Sequence, residues 1–257
     1  LAARQVGAEV RGCAVPVRSK GGVLRFAEEQ LSGRHYDAFC VFDADNVVDR
    51  CFLKEMNNAY RAGARAAQGY RDSKNPYDTW ISSCYSIYYW MVIRLYSHSR
   101  SRLGLSAIIH GSGFMVTHEL LWEMGGWQTE TLTEDIEFTT QCILRGERVS
   151  WVPRAITYDA QPLTFRQSWK QRRRWSTGIL QGFGLYFGKL AKRAIQKREW
   201  CSVDQMLFFL APFMQLVYVA SLVFGLVLDL MYVQHQLFPA TSLYYRMFVS
   251  FNTSLIV

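Results

Sequence analysis

Two clusters of acidic side chains and one basic, aromatic segment hold the residue types that could carry out chemistry. Asp43 and Asp45 stand two positions apart, and Glu134 and Asp135 are adjacent much later in the chain. The basic segment, residues 168–175, places four lysine and arginine side chains between two tryptophans. Carboxylates bind divalent cations or accept protons, whereas arginines bind phosphates and aromatic rings stack on sugars. The combination suits a reaction in which an anionic group leaves beside a stacked acceptor.

The first acidic cluster follows an apolar run, residues 38–42, of strand length. We expect this run to be a strand buried on both faces, as in a parallel sheet. Ligands gather beyond the carboxyl ends of such strands, so Asp43 and Asp45 predict a site for a divalent cation and a diphosphate. A surface turn rich in Asp and Asn is the alternative, and this motif alone leaves it open.

The second acidic cluster opens a predicted helix that Thr133 would cap and Gly146 would end. Acidic residues in a first turn favour the helix dipole whatever the function, which is the purely structural alternative. The same dipole would keep Asp135 ionised at neutral pH, as a general base requires. We therefore predict Asp135 as the base and Glu134 as its support.

The basic segment has two other interpretations, a nucleic-acid-binding surface or a plain interfacial helix. Its place between an α/β pattern and an apolar run argues against both. Arg174 offers a planar fork for phosphate oxygens, and Trp175 offers a flat face for a sugar ring.

The elements that must position these residues alternate between strand and helix patterns, which predicts an α/β sheet. Strands are predicted at 8–11, 38–42, 64–70, 114–116 and 149–152, the last ending before Pro153. Helices are predicted at 21–30, 48–62, 77–96 and from Thr133 to Gly146.

Charge and cysteine content narrow the class of protein. The net charge of +8 is concentrated at 166–174 and 189–198, which indicates phosphates of a nucleotide or of lipid headgroups. The six cysteines show no CxxC pair or metal spacing, which favours a reducing compartment and argues against a zinc site. The five histidines also lack metal spacing, and only His110 stands beside a candidate site segment.

A long apolar run predicts a membrane crossing. Residues 205–228 contain no charge and no histidine, and about 20 apolar residues suffice to cross a bilayer. Basic residues precede the run, so the positive-inside tendency predicts that everything before Asp204 is cytoplasmic. We expect an interfacial helix over 178–200, and a second crossing beginning in 237–257. The predicted domains are 1–175, an interfacial segment 176–203 and a transmembrane region 204–257.

Taken together, the clusters carry a resemblance to a known family. Asp43-Ala44-Asp45, Thr133-Glu134-Asp135 and Gln171-x-x-Arg174-Trp175, in that order before an apolar helix, resemble the motifs of membrane-integrated family 2 glycosyltransferases. That group includes cellulose, chitin and hyaluronan synthases and bacterial N-acetylglucosaminyltransferase-like proteins. The resemblance implies a GT-A-like nucleotide-diphospho-sugar transferase domain followed by interfacial and transmembrane helices. Because the family's first strand is missing, we expect this chain to be part of a longer protein.

The resemblance also implies roles for individual residues. Asp45 and Asp43 would hold Mg²⁺ or Mn²⁺, and Asp135 would be the base. The residues implied for substrate contact are Asp43, Glu134, Lys20, Gly111, Ser112, Gly113, Gln171, Arg174 and Trp175.

The implied reaction is the inverting transfer of glucose or N-acetylglucosamine from a UDP-sugar to an acceptor hydroxyl. The acceptor would be a carbohydrate or a lipid-linked sugar, and the product a β-linked polysaccharide made at the plasma membrane by a cytoplasmic domain. One alternative is a non-processive transferase that adds one sugar to a lipid. Another is a membrane-anchored protein that binds anionic lipid or nucleic acid without catalysis. We expect no nucleic-acid partner.

Overall fold

The computed structural model describes residues 5, 7–13, 19–31 and 33–230, with side chains up to residue 225. Within this part of the chain, a five-stranded mixed sheet packs against helices and is followed by two long helices. The strands are β1 (Ala38–Val41), β2 (Val47–Val48), β3 (Ala66–Ser73), β4 (Phe114–Thr117) and β5 (Val149–Asp159).

The helices follow the predicted alternation. They are α1 (Lys20–Leu31), α2 (Phe52–Arg61), α3 (Trp80–Met91), α4 (His98–Arg102), α5 (His118–Glu123), α6 (Glu134–Arg145), α7 (Phe165–Lys197) and α8 (Trp200–Leu230). A π-helical segment, Val92–Ser97, joins α3 to α4. The α/β class and the apolar helix after it are confirmed.

The sheet has the order β1-β4-β3-β5-β2, and among the described strands only β3 and β5 pair in parallel. The prediction that residues 38–42 form a strand buried on both faces of a parallel sheet is wrong. The strand exists, but it pairs antiparallel with β4 and its residues are half-buried. A continuous apolar run is typical of a central parallel strand, whereas β1 lies at the edge of the described sheet with β4 as its only described neighbour.

The prediction that β5 ends before Pro153 is wrong, because the strand continues to Asp159. The register with β3 passes from Gly69 opposite Val152 to Tyr70 opposite Ile156, so the residues between bulge out of the ladder. Proline cannot donate to the ladder, which explains the interruption. A Cβ at Gly69 would lie 2.3 Å from the Ala155 carbonyl oxygen, so only glycine fits opposite the bulge.

Three other predictions need correction. Residues 8–11 form no strand. Helix α3 begins at Trp80 rather than at residue 77, because Thr79 and Ser82 form a capping box there. Thr133 makes no side-chain cap to α6, whereas Gly146 ends that helix in the left-handed conformation, as predicted.

The long helix α7 contacts both its neighbours closely. A Cβ at Gly178 would lie 2.5 Å from Thr133 Oγ1, just before α6. A Cβ at Gly182 would lie 2.6 Å from the Phe209 ring of α8. Gly178 therefore allows α7, which carries the basic segment, to approach the acidic start of α6. Gly182 allows α8 to pack closely against α7.

Helix α8 is long and apolar enough to cross a bilayer. Its stretch Trp200–Gly225 has a mean hydropathy of 2.1, and almost none of its most apolar window is buried. Cys201, Gln205 and Phe209, near its start, are buried against the rest of the described chain. The predicted second crossing at 237–257 lies outside the described residues.

Candidate active site

Lys20, at the start of α1, joins three segments that are far apart in sequence. Its ammonium group pairs with Asp43 Oδ1 and donates to the Gly111 carbonyl oxygen at 2.6 Å. Glu134 Oε1 lies 4.0 Å from the same nitrogen. Asp135 belongs to this group as well, since its Oδ2 lies 3.2 Å from the position that a Cβ on Gly111 would take. The structure thus brings together residues from both acidic clusters.

Polar side chains form hydrogen bonds with the backbone of the Asp43-Ala44-Asp45 turn. The Asp43 N–H donates to Asn46 Oδ1 at 2.9 Å and to Ser112 Oγ at 3.2 Å. Lys74 donates to the Asp45 carbonyl oxygen, and Asp45 itself is exposed. The turn is therefore held through its backbone, which leaves the Asp45 carboxylate and the second oxygen of Asp43, whose Oδ1 pairs with Lys20, available for ligands.

The glycines of residues 111–113 are required by conformation. Gly111 has φ +81° and Gly113 has φ +64°, values that residues with side chains rarely adopt. A Cβ on Gly113 would also lie 2.6 Å from Thr157 Oγ1. Glycine lets this turn approach β5 on one side and Asp135 on the other.

Arg71 and Asp159 form an ion pair inside the site. The guanidinium pairs with Asp159 Oδ2, donates to the His110 carbonyl oxygen and lies 4.9 Å from the centre of the Tyr89 ring. Burial alone would lower the pKa of Arg71, but Tyr89 and Asp159 raise it overall, so the group stays charged. A fixed positive charge therefore lies close enough to Asp135 to favour its ionised form.

The two adjacent carboxyl groups on α6 are shifted towards their neutral forms. Burial, followed by the nearby Asp135, raises the pKa of Glu134 to about 7. Burial also raises the pKa of Asp135, against the backbone N–H of Ile136 and the charges of Arg71 and Lys20. The prediction that the helix dipole keeps Asp135 ionised at neutral pH considered only that dipole, whereas burial acts in the opposite direction and raises the pKa of this carboxyl group. An acid with a raised pKa is poised for proton transfer nearer neutral pH.

His110 precedes the glycine turn and is neutral. Burial, and then the charge of Arg71, lowers its pKa to about 3. Its backbone N–H donates to Gln68 Oε1 at 3.0 Å, and that amide also donates to the carbonyl oxygens of residues 112 and 113. His110 therefore contributes to the glycine turn through its backbone hydrogen bonds with Gln68 and Arg71.

The basic segment reaches the site through α7. Arg174 is close enough to lower the pKa of Glu134, although burial outweighs it. Trp175 packs with its ring centre 6.3 Å from that of Tyr85 and 6.4 Å from that of Tyr89, the ring under Arg71. Gln171 is half-buried one helical turn before Trp175. The third cluster therefore lies beside the second cluster and near the Arg71 ion pair.

Comparison with known proteins identifies the family of the chain. Residues 38–252 match the family described as glycosyl transferase family group 2. The chain belongs to this family. That membership confirms the predicted resemblance and favours a transferase over a binding protein without catalysis.

Similar proteins of the family are larger than this chain. The probable glycosyltransferase YdaM of Bacillus subtilis is 26% identical over 201 residues, which cover 74% of this chain and 47% of YdaM. The poly-beta-1,6-N-acetyl-D-glucosamine synthase of Staphylococcus aureus is 27% identical over 165 residues, covering 63% of this chain and 39% of the synthase. The chain thus spans about half or less of the curated relatives that it matches.

A solved structure also aligns with most of the chain. It is the mannosyltransferase PcManGT from Pyrobaculum calidifontis in complex with GDP-Man and Mn²⁺. The identity is 20% and the TM-score 0.48, and the alignment covers 84% of this chain and 61% of that one.

The sequence did not point to three residues of this candidate site: Asn46, Arg71 and Asp159. Asn46 follows the Asp43-Ala44-Asp45 motif as part of a polar turn. Its side chain bridges Asp43 and Asp159 only because the fold brings these two residues together. The strand with Arg71 was predicted to end one residue earlier, and the strand with Asp159 was predicted to end at Pro153. The signal that could have found Asp159 is the return of strand-forming residues at 156–158.

Proposed function

We propose that this glycosyltransferase moves a sugar, glucose or N-acetylglucosamine, from a UDP-sugar to an acceptor hydroxyl with inversion. The observation that carries the proposal is the convergence of Lys20, Asp43, Gly111, Glu134 and Asp135 around one ammonium group. Carboxylates from two elements, a basic helix and a glycine turn meet there, as transfer from an anionic donor requires.

Asp135 is the proposed base. It takes the proton of the acceptor hydroxyl as that oxygen forms a bond to the anomeric carbon of the donor sugar. The bond from that carbon to the diphosphate oxygen breaks, and its electron pair leaves with UDP. Arg174, which is exposed, would bind the leaving diphosphate, and Trp175, which is half-buried, would stack on the acceptor sugar. Gln171, Ser112 and Gly113 complete the proposed substrate contacts.

A divalent cation, Mg²⁺ or Mn²⁺, fits the carboxylates of Asp43 and Asp45. The described residues hold no group of three His, Cys, Asp or Glu side chains that could bind a metal by itself. Mg²⁺ commonly keeps its waters and is bound by one or two carboxylates together with substrate phosphates, which matches the two oxygen ligands available here. Such a cation would neutralise charge on the diphosphate.

The proposed setting is the plasma membrane, with α8 crossing the bilayer and the sheet on the cytoplasmic side. The length and apolar surface of α8 support this placement. The similarity to a polysaccharide synthase supports a β-linked polysaccharide as the product, extended on a carbohydrate or lipid-linked acceptor. Transfer of a single sugar to a lipid is the competing outcome, and product length separates the two.

The test measures UDP release by the full-length protein in membranes, offered UDP-glucose or UDP-N-acetylglucosamine, with and without Mn²⁺. We expect metal-dependent release with one donor, abolished in Asp135→Asn. The exposed Asp78 provides the control, because Asp78→Asn removes a carboxylate outside the site. Equal turnover in Asp135→Asn and the wild type would overturn the assignment of the base.

A further inference from the structure

Asp159, the last residue of β5, is a buried carboxylate with both oxygens engaged. It is only 3% exposed. Its Oδ1 accepts from Asn46 Nδ2 at 2.5 Å, and its Oδ2 pairs with Arg71. Burial of a carboxylate is costly unless such partners compensate, so this arrangement needs a reason.

One branch from Asp159 leads to the cation ligands. Asn46 receives the Asp43 N–H on its side-chain oxygen at 2.9 Å, and the same oxygen accepts from Ser112. Because Asp159 holds the amide nitrogen of Asn46, it also fixes which way that oxygen points. Two hydrogen bonds thus connect Asp159 to the backbone of the turn that carries Asp43 and Asp45.

The other branch leads to the proposed base. Arg71 pairs with Asp159 and donates to the carbonyl oxygen of His110, directly before the glycine turn at Asp135. Asp159 therefore determines where the positive charge opposite Asp135 is placed. The end of β5 does not depend on this side chain alone, because the Asp159 carbonyl oxygen accepts from the Lys74 N–H at 2.8 Å.

We propose that Asp159 is a positioning residue that orients the Asp43 and Asp45 turn through Asn46 and holds Arg71 beside Asp135. It does not touch the cation or the substrate itself. The inference rests on the proposed function, because it assumes that the turn binds the cation and the donor diphosphate. Partners of metal ligands act in this way in other proteins, and their loss typically lowers metal affinity by about 10- to 100-fold.

The test measures Mn²⁺ binding directly and does not depend on turnover. Purified full-length protein is titrated with Mn²⁺ at a fixed UDP concentration, and free Mn²⁺ is followed by electron paramagnetic resonance. Asp159→Asn keeps the shape of the side chain, but its single oxygen can accept from only one of Asn46 and Arg71, so its NH₂ group must face the other donor. We expect the Mn²⁺ dissociation constant to rise about tenfold or more.

A second variant and a matched control separate positioning from folding. Asn46→Ala breaks the same connection at a half-exposed turn, leaves the Arg71 pair intact, and is expected to raise the Mn²⁺ dissociation constant likewise. Asp204→Asn weakens another largely buried arginine pair, with Arg100, outside the site. It should leave the Mn²⁺ dissociation constant within about twofold, since it touches no group of the turn.

The outcomes distinguish this inference from the proposed function. An unchanged Mn²⁺ dissociation constant in both Asp159→Asn and Asn46→Ala overturns the positioning role, even where turnover falls. Failure of the wild type to bind Mn²⁺ with UDP overturns it too. A wild type that binds both but releases no UDP from any UDP-sugar overturns the proposed reaction, and the Mn²⁺ titrations still decide the role of Asp159.

Discussion

Two arginine and aspartate pairs in this protein have the same chemistry and similar burial but different surroundings. In the Arg71 pair the side chains are 15% and 5% exposed, and in the Arg100 pair they are 13% and 20% exposed. Arg100 donates twice to Asp204, at 2.7 and 2.8 Å, and lies over the Tyr96 ring. These contacts join α4 to the Tyr96 ring and to the amino-terminal part of α8.

The Arg71 pair divides its hydrogen bonds among several segments. Asp159 serves Asn46 as well as Arg71, and Arg71 serves the backbone at His110 as well as Asp159. Buried pairs are weak evidence for stability in themselves, because desolvation offsets much of the attraction. The other hydrogen bonds that each pair makes indicate which parts of the structure it connects. One pair connects two helices, and the other connects the parts of a site.

The largest expected difference between the two regions is in turnover. Asp135→Asn, which removes the carboxylate that Arg71 faces, should lower the rate of UDP release by about 10²- to 10⁴-fold, the usual cost of losing a base. Asp204→Asn should leave the rate per folded molecule unchanged. Donor binding, measured by equilibrium dialysis, should persist in Asp135→Asn. A comparable loss of rate in both variants would remove the distinction between site and scaffold.

Removal of each arginine should cost similar stability but different activity. Arg71→Gln and Arg100→Gln each leave a largely buried carboxylate without its charged partner, which costs about 3–5 kcal/mol of unfolding free energy. Denaturant titrations of both proteins measure that loss. At a temperature where both are folded, only Arg71→Gln should have lost turnover. Full activity of folded Arg71→Gln would show that the two pairs are equivalent.

The pH dependence of stability should reveal the acidic start of α6. The pKa of Glu134 is raised from its ordinary 4.5 to about 7 in the folded protein. Its contribution to stability is therefore complete below pH 4.5 and is lost as the pH rises through 7. The contribution of Glu134 to the free energy of unfolding is at most about 3 kcal/mol, the free energy that corresponds to this difference in pKa. Melting temperatures at pH 5 and pH 8 should differ less in Glu134→Gln than in the wild type, whereas equal differences would contradict the raised pKa.

The smallest expected effect concerns two tryptophans of the basic segment. Trp175 packs on Tyr85 and Tyr89 beside the Arg71 pair, whereas Trp169 is 63% exposed. Aromatic stacking is worth about 0.5–1.5 kcal/mol, so Trp175→Leu should raise the KM for the acceptor by up to about tenfold. Trp169→Leu should leave it nearly unchanged. Equal KM values in the two variants would place the acceptor elsewhere.

Much of the fold was predictable because its signals are local. Hydrophobic spacing indicated α1, α2 and the α6 helix, and Gly146 ends α6 as expected. The errors fell where tertiary pairing overrides local pattern. β1 pairs antiparallel although its apolar run is typical of a parallel strand, and β5 resumes after a proline because Gly69 makes room for the bulge.

The sequence by itself determined the family, the three clusters and the apolar helix, because residue type and order carry that information without coordinates. Only the tertiary structure decided that Lys20 joins the two acidic clusters and that Asp159 holds Asn46 and Arg71. The physical reason is that these contacts join residues 23 to 113 positions apart. Burial, which raises the pKa values of Glu134 and Asp135, is likewise a property of the packed chain and of no single segment.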